Sequence, residues 1–107
     1  MAAPWNPPKR AEDFTTYIAL EDASIAGSFK ANPTLAAGDV KISKDGGALA
    51  NIAEGTGVLT VTPASSIWVK VVLTATEMTA DAVSIQFIDQ TTPKEWNDFA
   101  ICILTTA

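Results

Sequence analysis

The sequence predicts an all-β domain. Apolar residues recur at every second position in several short runs that are rich in β-branched and aromatic types, which is the pattern of half-buried strands. Gly, Pro, Asp and Asn separate these runs at intervals of about 8 to 12 residues, as turn residues do in sandwiches. The chain has 107 residues, the length of one domain. These observations predict an immunoglobulin-like β-sandwich of about seven short antiparallel strands, with a small β-barrel as the alternative.

Each predicted strand either has one apolar face that points into the core or is apolar on both faces. The first run places Phe14 and Ile18 on one face and Tyr17 on the other. The fifth run is the strongest, with Val71 inward and Trp68 outward. The seventh run is apolar on both faces at its centre, which predicts a strand that is covered on both sides. In chain order the seven predicted strands cover residues 14–21, 39–43, 48–53, 58–62, 67–74, 83–89 and 98–106.

The KDGG stretch between the second and third runs could be a phosphate loop or a hairpin turn. Phosphate loops need spaced glycines between a strand and a helix, and no helical pattern follows here. A three-residue loop at 45–47 would place Ile42 opposite Ala50 and Val40 opposite Ile52, so that apolar residues face each other. The sequence therefore predicts a hairpin with this register.

One segment has a helical pattern, and it is short. Thr74 and Glu77 have the spacing of a capping box, and helix-forming residues follow as far as Asp81. We expect a single helical turn that connects two strands.

Composition indicates a folded chain and limits its partners. Hydrophobic residues make up 48% and charged residues 18% of the sequence, as in globular domains. Seven basic and twelve acidic residues give a net charge of −5, and the basic residues are scattered, so we expect no nucleic-acid partner. No run is long and apolar enough for a membrane span or a signal peptide. We expect a soluble protein made in a cytoplasm.

The residue types needed by most enzymes are missing. The sequence contains no histidine and a single cysteine, Cys102, which removes the usual general base, the usual partner of a nucleophile and the commonest zinc ligand. We expect Cys102, inside the apolar run AICIL, to be a buried core residue. The sequence therefore predicts no enzymatic activity, no catalytic residue, no metal site and no cofactor.

For the other candidate functional sites, a purely structural role of the same residues is the better interpretation. The carboxylate pairs Glu12–Asp13, Glu21–Asp22 and Glu95/Asp98 could serve a glycosidase, but a small sandwich offers little room for a cleft. Four aspartates at strand ends could bridge loops through calcium, although no calcium-loop motif is present. Three tryptophans and a tyrosine could bind sugars, although they fall in different segments and Trp often closes a core. These residues are Asp39, Asp45, Asp81 and Asp89 for calcium, and Trp5, Tyr17, Trp68 and Trp96 for sugars.

Three segments resemble a small β-domain of virion structural proteins from tailed bacteriophages. They are LAAGDVKISKDGGALANIA at 35–53, LTATEMTADAVSIQFID at 73–89 and KEWNDFAICILTTA at 94–107. The resemblance covers most of the chain from about Phe14 onward, and it implies a virion component without fixing its position. The chain departs from the common pattern in its added beginning, MAAPWNPPKRAED, and in ending directly after the last strand.

These departures favour a small separate virion protein, and we expect a capsid decoration (cement) protein that stabilises the head. Its partners would be the major capsid protein or other virion proteins, and we expect a homotrimer on the particle because several weak contacts reinforce each other. Two alternatives stay open: a tail, baseplate or neck component, and a carbohydrate-binding module that aids adsorption to the host. In each case the protein is made in the cytoplasm of the host bacterium.

Residues 1–13 are predicted to form an extended arm ahead of the single domain at 14–107, and we expect this arm to reach a neighbouring subunit. Prolines fix φ and remove backbone donors, so this stretch favours an extended path and cannot join a central strand. A tryptophan supplies an apolar anchor, and two basic residues suit an acidic partner surface. The predicted partner-binding residues are Pro4, Trp5, Pro7, Pro8, Lys9 and Arg10.

Overall fold

The computed structural model describes residues 7–36, 38–52 and 59–106. Within these residues the chain forms strands and no helix, so no helix is long and apolar enough to span a membrane. All paired strands are antiparallel, which confirms the predicted all-β class. The strands are β1 (Phe14–Ala19), β2 (Val40–Lys44), β3 (Ala50–Asn51), β4 (Leu59–Val61), β5 (Trp68–Leu73), β6 (Ala82–Phe87) and β7 (Phe99–Leu104).

The strands form two separate sheets rather than one closed sheet. Three strands pair in the order β1-β5-β4 and four in the order β3-β2-β6-β7. Both sheets contribute their inward-facing residues to the core, as in a β-sandwich. The outermost strands include β1 in one sheet and β7 in the other, and these two edges frame the surface described below.

The core consists of the alternate residues that the period of two predicts. Val69, Val71 and Leu73 of β5 are fully buried, and so are the inward residues of β6. Burying a side chain of this size contributes about 1.5 to 3 kcal/mol. The buried apolar residues are Ile18, Leu20, Val40, Ile42, Ile52, Val69, Val71, Leu73, Met78, Ala80, Val83, Ile85, Phe87, Trp96 and Ile103.

The KDGG stretch is a hairpin turn with the predicted register. Ile42 is paired with Ala50, and the backbone N–H of Ile52 donates to the Val40 carbonyl at 3.2 Å. Asp45 and Gly46 have φ of 51° and 76°, the left-handed values that a tight hairpin turn requires. The predicted register is therefore confirmed, and the Gly47 N–H closes the turn by donating to the Lys44 carbonyl at 2.9 Å.

Replacing Asp45 with alanine should destabilise the domain by about 2 kcal/mol. The Asp45 Oδ1 atom accepts hydrogen bonds from the backbone N–H groups of Asp81 at 3.0 Å and Ala82 at 2.9 Å, and alanine also tolerates a positive φ poorly. Asparagine keeps an acceptor oxygen and tolerates this conformation, so Asp45→Asn should lose less than about 1 kcal/mol. Urea denaturation at neutral pH measures both, and equal losses would contradict the assigned role of Oδ1.

The segment after β5 is a single capped turn and not a helix. The Thr74 N–H donates to Glu77 Oε1 at 3.0 Å, and the Glu77 N–H donates back to Thr74 Oγ1 at 3.2 Å. One bond, from the Met78 N–H to the Thr74 carbonyl at 3.0 Å, closes the turn. The predicted capping box is therefore confirmed, but the helical pattern is too short to propagate.

Two predictions for the last strand are wrong. The strand β7 lies at the edge of its sheet, and its outer face is not covered: Leu104 is 70% exposed and Cys102 is exposed as well. Only Ile103 of this strand is buried. Apolar residues on both faces of a strand are compatible with a strand that is covered on both sides, but they also occur on exposed edge strands that bind another chain.

Candidate protein-binding surface

An open apolar groove of about 680 Å³ runs between the edge strands β1 and β7. Its floor includes Ile18 and Ile103, which are almost fully buried, and none of the described residues that line it is charged. The lining residues are Pro8, Phe14, Thr16, Tyr17, Ile18, Ala19, Phe29, Trp68, Phe99, Ile101, Cys102, Ile103 and Leu104. We call this feature the β1–β7 groove.

Three aromatic side chains stand exposed along this groove. Tyr17 is 49%, Trp68 46% and Phe29 58% exposed. Because Ala19 pairs with Trp68 and Tyr17 pairs with Lys70, Tyr17 and Trp68 are diagonal neighbours on one face of the sheet, within reach of each other. We call Tyr17, Phe29 and Trp68 the aromatic surface; residues of these types are enriched at the centres of protein interfaces.

The tryptophans do not form one platform. Trp96 is fully buried in the core, and its Nε1–H donates to the Thr34 carbonyl at 3.1 Å. Trp5 lies outside the described residues. Trp68 and Tyr17 are therefore the members of the predicted sugar-binding set that the structure brings together on the surface.

The aspartates considered for calcium act as acceptors for backbone N–H groups. Asp39 is buried, with Oδ1 accepting from the Gln90 N–H at 3.0 Å and Oδ2 from the Ala36 N–H at 2.9 Å. Asp45 accepts two more such bonds, as described above. In the part of the chain that is described, no group of three or more potential ligands could hold a metal ion.

Asp89 has a similar role at the end of β6. Its Oδ1 accepts from the Thr91 N–H at 2.9 Å and the Thr91 hydroxyl at 2.6 Å, and its Oδ2 accepts from the Glu95 N–H at 2.7 Å. Burial opposes ionisation of this carboxyl, but these hydrogen bonds together with one from the Trp96 backbone hold its pKa below the usual value. Asp89 therefore stabilises the loop that carries Trp96 into the core.

The predicted carboxylate pairs do not face each other across a cleft. The Asn97 amide and the Gly27 N–H donate to Glu21 and lower its pKa, while the Ser24 N–H and hydroxyl donate to Asp22 and lower its pKa. In the third pair the two carboxylates also have separate partners: Glu95 accepts from the Thr34 N–H at 2.9 Å, and Asp98 forms an ion pair of 2.6 Å with Lys94. In the first pair, Asp13 accepts from the Ala75 N–H at 2.8 Å.

The described part of the predicted arm lies against its own domain. The Thr106 N–H donates to the Pro8 carbonyl at 2.8 Å, and the Arg10 N–H donates to the Thr106 carbonyl at 2.9 Å. Lys9 and Arg10 are exposed, and Arg10 forms a surface ion pair of 3.6 Å with Asp81, a contact of small energetic value. Pro7 and Pro8 are half-buried.

The other predicted arm residues, Pro4 and Trp5, lie outside the described residues. The binding of the arm to a neighbouring subunit therefore stays a prediction.

Sequence reasoning placed Tyr17 and Trp68 on the outer face but did not identify the groove. The period of two in β1 and β5 gives the direction of these side chains, whereas Phe29 lies in an irregular segment with no periodic signal.

Comparisons with protein-family models, with curated proteins and with solved structures found no match to this chain.

Proposed function

We propose that this chain is a non-enzymatic structural component of a bacteriophage particle and acts by binding other virion proteins. The observation that carries the proposal is the uncharged β1–β7 groove with the aromatic surface exposed along it. Contiguous exposed apolar surface of this kind marks sites of association, and large aromatic side chains supply most of the binding energy at many interfaces. The net charge of −5 favours a protein partner over nucleic acid.

Within this class we place the protein on the outside of the head as a capsid decoration protein. The resemblance of residues 35–53, 73–89 and 94–107 to virion β-domains supports a virion component without fixing its position, and the partner that we propose is the major capsid protein. A homotrimer would present three copies of the aromatic surface at once, so weak single contacts would act together at high effective concentration. Synthesis takes place in the cytoplasm of the host bacterium.

We also infer an immunoglobulin-like arrangement of the strands. In that fold the second, fifth and fourth strands pair in one sheet, and the third, sixth and seventh pair in the other. The segment at Lys9, which forms a parallel bridge with Thr106, then takes the place of the first strand of that fold. With this assignment β1 corresponds to the second strand, β2 to the third, and β4–β7 to the fourth to seventh. The orders β1-β5-β4 and β3-β2-β6-β7 then support this relation, with β3 as an additional strand.

The double substitution Tyr17→Ser and Trp68→Ser should reduce incorporation into particles by about tenfold or more, because each removes a desolvated aromatic contact. The fold should persist, since both side chains are half exposed. The measurement is the copy number per purified particle, by quantitative mass spectrometry. The matched control is Leu49→Ser, which alters an apolar side chain of similar exposure, 52%, just before β3 and outside the groove. Full incorporation of the double variant would overturn the proposed surface.

Particle position is decided by copy number and by density in electron cryomicroscopy of intact particles. A head decoration protein is expected in on the order of hundreds of copies per particle. A tail, baseplate or neck component is expected in about six or twelve copies, because the symmetry at those positions is lower. Isolated monomers in the density would contradict the trimer.

A carbohydrate-binding module is the second candidate, because Tyr17 and Trp68 are exposed neighbours on one sheet face. Two adjacent aromatic rings can stack against the apolar face of a sugar. A glycan array with the Trp68→Ala variant tests this function: specific binding that Trp68→Ala abolishes would favour adsorption to the host, and absence of binding by the wild type would reject it. Trp96→Ala is unsuitable as a control because that side chain is part of the core.

A further inference from the structure

We propose that residues 21–29, which we call the Ile25 loop, form a preorganised binding loop that inserts Ile25 into an apolar pocket of the partner protein. This inference rests on the function proposed above, and it names a second anchor beside the aromatic surface. Ile25 does not line the β1–β7 groove, so the groove stays open for the same partner.

The Ile25 loop belongs to a long connection. The described residues 20–36, which follow β1, form no strand, whereas most connections in compact domains have about 4 to 6 residues. Connections longer than about 12 to 15 residues are uncommon, and those that are ordered usually carry a function. The length of this segment therefore indicates a role beyond joining β1 to β2.

The loop folds back on itself as a short irregular hairpin. The Asp22 N–H donates to the Ser28 carbonyl at 2.8 Å, and the Lys30 N–H donates to the Leu20 carbonyl at 2.7 Å. At the tip, the Ser28 N–H donates to the Ile25 carbonyl at 3.2 Å and closes a turn. Because these backbone groups are paired inside the loop, binding through the tip depends on its side chains.

Further hydrogen bonds fix the loop on the rest of the domain. The Ala23 N–H donates to the Glu95 carbonyl at 3.1 Å, and the Asn97 N–H donates to the Glu21 carbonyl at 2.9 Å. The Glu21 side chain connects the tip to the same neighbour, since Oε2 accepts from the Gly27 N–H at 3.1 Å and Oε1 from the Asn97 amide at 2.6 Å. A loop held in this way loses little conformational entropy when it binds.

The turn at the tip has the conformation that its sequence requires. Gly27 has φ of 83°, the value needed at the third position of a type II turn, where glycine is favoured. Residues at turns are commonly Gly, Pro, Asn, Asp or Ser, and Ile25 is none of these. The isoleucine is therefore not explained by the turn itself.

The tip exposes apolar side chains and no charge. Residues 23–29 read ASIAGSF, and all of them are exposed. Ile25 is not an isolated apolar residue, because Phe29 of the same loop has the same exposed fraction, 58%. Exposed apolar side chains that are grouped in this way mark a site of association.

The position of the loop identifies its partner as the protein that binds the aromatic surface. Phe29 belongs to that surface and lines the β1–β7 groove, so a partner seated there lies directly beside the Ile25 loop. The uncharged tip fits an apolar protein pocket, in a chain whose net charge of −5 disfavours nucleic acid. Two anchors on neighbouring elements would fix the orientation of the partner as well as its affinity.

Competition for particles tests the role of Ile25. Isotope-labelled wild type and the unlabelled full-length variant Ile25→Ser are mixed at equal concentration with a limiting number of particles that lack the protein. Mass spectrometry of the washed particles gives the bound ratio. We expect wild type to exceed Ile25→Ser by about tenfold or more, because the variant loses the burial of an apolar side chain.

Two control variants separate this contact from general surface hydrophobicity. Leu49→Ser alters a side chain of similar exposure, 52%, and should compete equally with wild type. Ile25→Val keeps most of the apolar side chain and should lose less than about threefold. All three side chains are exposed in the free protein, so the melting temperatures should match that of the wild type.

Amide exchange of the free protein tests the preorganisation separately. In Glu21→Ala the Gly27 N–H loses its acceptor, and its exchange should accelerate by about tenfold. The same variant should compete about threefold less well than wild type although Ile25 is intact, because the tip must then be ordered on binding. Glu21→Gln keeps an acceptor oxygen and should show the smaller effect in both measurements.

The outcomes distinguish this inference from the proposed function. Equal binding of wild type and Ile25→Ser would overturn the inference alone, since the double variant Tyr17→Ser and Trp68→Ser tests the aromatic surface independently. An equal loss for Leu49→Ser, or unchanged exchange of Gly27 in Glu21→Ala, would also overturn it. Wild type that does not bind particles at all would reject the proposed function and, with it, the partner assigned to the Ile25 loop.

Discussion

Replacing Trp96 with alanine should destabilise the domain by about 3 to 5 kcal/mol, the usual cost of removing a buried aromatic ring. Trp96 is completely buried in the cluster that includes Leu20, Phe87 and Met78, and the loop backbone on both sides is fixed by pairing to residues 21–23. The surroundings therefore cannot close the cavity. Because whole domains are stable by about 5 to 15 kcal/mol, this loss removes a large part of the stability and should lower the melting temperature clearly below that of the wild type.

The contribution of the indole hydrogen bond can be separated from that of the ring. Trp96→Phe keeps most of the apolar volume but removes the Nε1–H that donates to Thr34, so we expect a loss of about 1 to 2 kcal/mol from the unpaired carbonyl and the smaller ring. Trp68→Ala is the matched control, because this side chain is 46% exposed; it should lose less than about 1 kcal/mol. Chemical denaturation measures all three variants, and equal losses for Trp96→Ala and Trp68→Ala would contradict the assigned burial.

The contrast between these two tryptophans shows which features of the fold are determined by the neighbouring sequence alone. The period of two in IWVKVVLT predicts that Trp68 points away from Val69 and Val71, and it does. The turn chemistry of KDGG together with the facing apolar residues predicts the hairpin register, which is confirmed. Both features are decided within about ten residues of sequence by pleat geometry and left-handed turn residues.

The burial of Trp96 and the exposure of β7 depend on distant parts of the chain. The Trp96 indole bonds to Thr34 and the Asn97 amide to Glu21, pairs that are 62 and 76 residues apart. Alternation shows which side chains share a face but not whether a second sheet covers that face. This explains why Cys102 was predicted to be buried and why the β1–β7 groove was not predicted at all.

Asp89 should make the stability of the domain depend on pH in the acidic range. Its pKa is lowered in the folded state, so folding favours the ionised carboxylate. This contribution is fully present above the pKa of the unfolded chain, about 3.9, and is lost as the pH falls through the lower folded value. At neutral pH, Asp89→Asn should cost about 1 to 3 kcal/mol, because the amide nitrogen cannot accept the bonds now made at one carboxylate oxygen.

The difference between wild type and Asp89→Asn should therefore be largest at neutral pH and should shrink below the folded pKa, where Asp89 itself becomes protonated. Glu21 and Asp22 also have lowered pKa values, so both proteins should still lose stability in acid; the decisive quantity is the difference between them. Urea denaturation at pH 7 and at successively lower pH gives this difference. A constant difference across the range would show that Asp89 contributes through its shape and not through its charge, because only the charged form accepts all the bonds that Thr91 and Glu95 donate.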